Sequence, residues 1–138
     1  MTARATRSAR DQRGSTIVEF ALVVPLLVTV LLGILQYGYH YWALETAAAT
    51  AREAARHYAV GAGQTCTQTE AQSRAGTAAL GPVTVSAPPS SPTVGQVITV
   101  TVSFQSLDMH LFPLPDDGYV SESATARIEN VPTTPLTC

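Results

Sequence analysis

The stretch FALVVPLLVTVLLGILQYGYHYWAL (residues 20–44) runs for 25 positions without an Asp, Glu, Lys or Arg. A lipid hydrocarbon layer calls for about 20 such residues in a helix, whereas helices of soluble domains average about 11–12. Residues 18–41 are therefore read as a transmembrane span. The far end of the run holds Tyr37, Tyr39, Tyr41 and Trp42, three of the five tyrosines and the only tryptophan. Amphipathic rings of this kind favour the membrane–water interface. Arg4, Arg7, Arg10 and Arg13 precede the span and the next basic residue is Arg52. The positive-inside rule then predicts a cytoplasmic N-terminus and an external C-terminus.

Working outward, the whole chain has 138 residues, the length of one domain. It is 46% hydrophobic and only 13% charged, against about 25% charged in soluble domains. Beyond residue 14, four arginines face nine carboxylates, a net charge of −5. A nucleic-acid partner asks for a basic body, so none is expected.

Glu19 breaks the apolar pattern just inside the span, between Val18 and Phe20. By itself it fits the cytoplasmic interface, where its cost is small; deeper in, a carboxylate requires an opposite charge. Residues 10–27, RDQRGSTIVEFALVVPLL, order these features as arginines, a glycine, four residues, Glu-Phe and the hydrophobic run. This order resembles the class III signal of type IV pilin-like precursors. The resemblance implies that a prepilin peptidase cuts between Gly14 and Ser15, removing a cytoplasmic leader of residues 1–14. It also implies that Glu19, followed by Phe20, meets the new amine of a neighbouring subunit.

Residues 13–61 resemble, more narrowly, the TadE-like family, minor pseudopilins of tight-adherence (Flp) pili. The marks are the Gly-x4-Glu-Phe start, Pro25 in the run, Gly33 followed by Gln36-Tyr37-Gly38, and the alanine-rich segment at Ala51-Arg52-Glu53-Ala54-Ala55-Arg56. The segment 121–130, SESATARIEN, is similar to the family's last strand. The implied partners are a prepilin peptidase, other pilin and pseudopilin subunits, the assembly platform in the cytoplasmic membrane, and the lipid bilayer.

Past the span, Ala43/Leu44, Ala47/Ala48, Ala51, Ala54/Ala55 and Tyr58/Ala59 recur at spacings of three and four, which makes one apolar helical stripe. Alanine is the strongest helix former, and no proline occurs between 26 and 81. The expected helix is 15–60, ending before Gly61 and Gly63. Its small side chains suit either close packing beside other helices in a fibre or cover for the protein's own sheet. Arg52 and Arg56 share one face as solvated charges. Residues 61–66 read as a turn and 69–80 as a second, short helix stopped at Gly81-Pro82.

From residue 82 the period changes from helical to two. Residues 83–87 (VTVSA), 96–104 (QVITVTVSF) and 119–131 (YVSESATARIENV) are read as strands, separated by the proline-rich loop 88–95 and the loop 105–118. In the middle strand Ile98, Val100, Val102 and Phe104 alternate with Val97, Thr99, Thr101 and Ser103. The fold class is α+β: a long helix, a short one, and an antiparallel sheet of about three strands forming an external domain over residues 61–138.

Cys66 and Cys138 both fall on the external side, where two thiols more often pair than stay free; the alternative is a free terminal thiol. A metal site is not expected, since two thiolates without a nearby histidine fall short of four ligands. His40, His57 and His110 are scattered, and no nucleophile, zinc or phosphate-binding motif is present. Asp116-Asp117-Gly118 lacks the further oxygen ligands of a calcium loop and reads as a turn. Neither enzymatic activity nor a cofactor is expected. Two other readings compete with a pilus subunit: an uncleaved single-pass anchor presenting an external adhesion domain, and a secreted domain whose conventional signal peptide is cut after Ala47-Ala48-Ala49, leaving Thr50 first.

Overall fold

A computed structural model describes residues 10–134 and 138, with side chains from Thr16 onward. The expected leader residues 1–9 and the side chains of Gly14 and Ser15 lie outside that description. Five regular elements follow in order: α1 (Arg10–Ala59), α2 (Gln64–Ala75), β1 (Thr84–Val85), β2 (Val97–Gln105) and β3 (Tyr119–Arg127). The fold class is the one expected: a long N-terminal helix, a short second helix and a three-stranded antiparallel sheet. The chain divides into two compact units between Leu35 and Gln36.

In the first unit α1 already has its helical backbone at Arg10, upstream of the expected start at 15. Pro25 lies inside this helix and offers no amide hydrogen. Thr29 Oγ1 donates to the Pro25 carbonyl at 2.8 Å.

The second unit, Gln36–Cys138, holds the core. The sheet order is β1-β2-β3. β2 and β3 pair along nine residues, from Val97 opposite Arg127 to Gln105 opposite Tyr119, and β1 adds Val85 opposite Val102. Ile98, Val100, Val102 and Phe104 are buried along β2, and Val120 and Ile128 join them from β3 and its extension. The sequence alternation thus reports the inner face of β2 correctly.

Against that face lies the alanine stripe of α1. Gln36, His40, Ala43, Ala47, Thr50, Ala51, Ala54, Ala55 and Tyr58 are all buried, at the three- and four-residue spacings that keep one helical face on its partner. The stripe covers the protein's own sheet. Alanine at these positions leaves room in the layer that the larger side chains of β2 fill.

α1 ends in a Schellman motif: Ala62 N–H donates to the His57 carbonyl at 2.9 Å and Gly61 N–H to that of Tyr58 at 3.1 Å. Gly61 has φ +94°, and an added Cβ would overlap Pro132 Cδ and lie 2.7 Å from Pro132 Cγ. Gly61→Ala is expected to destabilise the second unit by about 1–3 kcal/mol through strain and overpacking. The readout is a lower denaturant midpoint at unchanged slope; an unshifted midpoint would sink the claim.

The short helix differs from expectation. It occupies Gln64–Ala75 in place of 69–80, so the expected turn at 61–66 already contains its first residues. Gly63 in extended conformation opens it, and Gly76 at φ +48° closes it into a 3-10 turn over Gly76–Ala78. The reason for this placement is a row of glutamines one turn apart. Gln64 Nε2 donates to the Val85 carbonyl (3.1 Å), Gln68 joins both Val83 and Val85, and Gln72 accepts from Val83 N–H (2.8 Å) while donating to Gly81 (3.3 Å). Side-chain amides thereby take the place of a fourth strand along the outer side of β1, satisfying backbone groups that an open sheet edge leaves bare.

Candidate functional site

In the first unit the side chains of the apolar run face outward. Ile17, Val18, Phe20, Leu22, Leu26, Leu27, Leu31, Ile34 and Leu35 are all exposed. Glu19 is exposed among them. Thr16–Ala59 contains a window long and apolar enough to cross a membrane, with none of that window buried within the protein. So large a continuous apolar surface is not one that water tolerates; it fits lipid or other apolar helices.

At Gln36 the surroundings change. Its amide is fully buried, donating from Nε2 to the Phe112 carbonyl (2.7 Å) and Asp108 Oδ1 (3.2 Å), while Oε1 accepts from Phe112 N–H (3.1 Å). One turn later His40 is buried with Nδ1 3.5 Å from Ser106 Oγ, whose hydroxyl donates to the Gly118 carbonyl at 2.8 Å. A proton on Nδ1 completes that chain of donors and acceptors. The loop 105–118, expected only as a connection, is therefore clasped to α1.

The four aromatic residues assigned to an interface divide by role. Tyr37 OH donates to the Pro113 carbonyl at 2.8 Å and Tyr39 OH to that of Thr77 at 2.6 Å, so both pin loops to α1. Tyr39 meets Trp42 edge to face with ring centroids 5.3 Å apart. Tyr41 and Trp42 are exposed. Cys66 and Cys138 are joined, Cα atoms 5.3 Å apart, tying the last residue to α2. Sequence reasoning named Gln36 only as a family mark and His40 only as a scattered histidine, and it missed Ser106 and Asp108, loop residues whose tie to α1 has no local signal.

An outward-facing apolar helix that turns into an alanine-faced one at Gln36 is the pattern on which the comparison with known families bears. Residues 14–56 match the family model of TadE-like proteins. The TadE-like segment starts at Gly14, takes in the whole exposed apolar run and ends at Arg56, inside the alanine stripe. α2 and the sheet lie beyond it. The match covers less than a third of the chain, and within it lies the run long and apolar enough to cross a membrane. Comparison with curated proteins and with solved structures gives no match.

Beyond the TadE-like segment, the second unit holds a cleft of about 240 Å³ lined by Tyr58, Ile98, Ile128, Pro88, Pro92 and Pro132 among others. Among the described residues that line it, the titratable group is the Tyr58 phenol, which donates to Gln64 Oε1. Burial pushes that phenol above its ordinary range, opposed by a weaker effect of Thr67. It is therefore no proton acceptor at neutral pH. Among the described residues no group of three or more His, Cys, Asp or Glu is placed to hold a metal ion. Asp116 and Asp117 lie in the turn Pro115–Gly118 with φ of 52° and 50°, a left-handed conformation that aspartate tolerates well.

Proposed function

We propose that the chain is a minor pseudopilin of a tight-adherence pilus: a single-pass precursor, N-terminus in the cytoplasm, cut after Gly14 and packed into or beneath the fibre through the exposed face of α1. The carrying observation is the division of α1 at Gln36. Downstream, the helix spends its small-residue face on its own sheet; upstream, nearly all the large apolar side chains remain exposed to neighbours and lipid. The TadE-like match covers both halves and begins at the glycine of the expected junction. In this reading Glu19 becomes the fifth residue of the mature chain and pairs with the free amine of an adjacent subunit, since a carboxylate in apolar surroundings needs an opposite charge.

A released domain starting at Thr50 is disfavoured on physical grounds. That cut would remove Ala43 and Ala47, both fully buried, together with the Gln36 clasp.

N-terminal sequencing and intact mass of the protein from its own host membranes, with and without the prepilin peptidase, test the reading. The expected result is a start at Ser15 that depends on the peptidase, and loss of pilus incorporation in Glu19→Ala with membrane insertion retained. An unprocessed N-terminus in the presence of peptidase would reduce the protein to an anchored external domain, and a start near Thr50 would make the helix a discarded leader.

A further inference from the structure

The loop 105–118 presents an arrangement that a water-facing connection does not require. From 107 to 111 the apolar side chains Leu107, Met109 and Leu111 point outward, 36%, 37% and 47% exposed. Asp108 between them is turned in, its carboxylate taken by Gln36 Nε2 (3.2 Å) and His110 N–H (2.7 Å). Just past the turn, the Phe112 carbonyl and N–H bond to Gln36 and the Pro113 carbonyl accepts from Tyr37 OH, so its return limb is pinned to α1. Gln36 and Tyr37, which hold the turn, directly follow Leu35, the last residue of the exposed apolar unit. Tyr41 and Trp42, one turn further along α1, are exposed and of the types that favour the interface.

We propose that the 107–111 turn is a second membrane contact, its Leu107, Met109 and Leu111 side chains entering the headgroup–acyl boundary of the bilayer that α1 crosses. The partner is the hydrocarbon edge of a lipid surface, not its charge: residues 105–118 contain no Lys or Arg, and Asp116 and Asp117 lie on the return limb, where Gln105 Nε2 holds the Asp117 carbonyl beside the end of β2. Three inserted side chains fix the height and rotation of the second unit on the membrane, which a single helix leaves free to tilt. The inference rests on the membrane part of the proposed function.

The test uses the full chain in phosphatidylcholine vesicles whose acyl chains are brominated near the headgroup, with Trp42→Phe as background. A tryptophan at Leu111 (L111W), and separately at Met109 (M109W), is expected to emit at shorter wavelength than one at the exposed, distant Val94 (V94W) and to lose intensity on the brominated lipid, with or without added phosphatidylglycerol. A tryptophan at Ile34 (I34W) reports the span itself. Quenching at Ile34 with none at Leu111 or Met109 overturns the proposal and leaves the span standing. Quenching at Leu111 and Met109 that requires phosphatidylglycerol also overturns it. No quenching at Ile34 overturns the membrane reading on which it rests.

Discussion

Phe104→Ala is expected to remove about 3–5 kcal/mol from the stability of the Gln36–Cys138 unit, the range for deleting a buried aromatic ring whose cavity cannot close. Phe104 is 1% exposed and the largest of the fully buried side chains. It sits opposite Val120 on β3, near the end of β2, in the same core as the alanine stripe. Alanine neighbours are the reason for the upper part of the range. A core of long side chains relaxes into a hole by changing rotamers, but alanine has none to change. Val97→Ala, on the opposite face of the same strand and exposed, is expected to stay within about 0.5 kcal/mol. Denaturant titration of the full chain in detergent, followed by tryptophan emission, reads both. Equal effects of the two substitutions would mean that the sheet face has been assigned wrongly.

The second large effect is expected from the Cys66–Cys138 bond. It links residues 72 apart, so on the chain-entropy estimate its removal costs about 4 kcal/mol. For a unit of this size that corresponds to a fall of well over 10 °C in Tm, at about 4–8 °C per kcal/mol. Cys66→Ser with Cys138→Ser is expected to melt at the temperature of the reduced wild type and to ignore reductant. A small domain whose layer is built half from alanine buries little apolar area per residue, and a constraint on its unfolded state makes up part of the difference. A wild-type Tm indifferent to reductant would show that the bond contributes nothing to this unit.

Much of the fold was legible because period reports faces. The two-residue alternation of 96–104 and the three- and four-residue spacing of the alanines each determine which side of an element is buried, and both faces are where they were expected. Period does not report partners. The alanine stripe fitted a fibre as well as a sheet, and only the structure shows that the protein's own β2 and β3 lie on it. Gln64, Gln68 and Gln72 stand at helical spacing in the sequence, but nothing local says that their amides meet the backbone of residues 81–85; their attachment pulls α2 five residues upstream of the place that composition alone favours. Gln36 and His40 were read as part of the membrane end of the helix for the same reason. Their partners, Asp108, Phe112 and Ser106, are 66 to 76 residues away, beyond the reach of any local pattern.

Those separations also set a timetable. Synthesis runs from the N-terminus at about 5–20 residues per second, and Ile128, which closes the core, is 69 positions after Ala59 at the end of α1. The buried face of α1 is therefore complete roughly 3–14 seconds before the last of the strands that cover it exists. During that interval a leucine-faced helix would be drawn into the bilayer or onto other nascent chains. A face of alanines, with little hydrocarbon per residue, can wait. Choosing alanine for Gln36–Ala59 thus trades depth of core for good behaviour in the half-made protein, and leaves the late-formed disulfide to secure what the shallow core lacks.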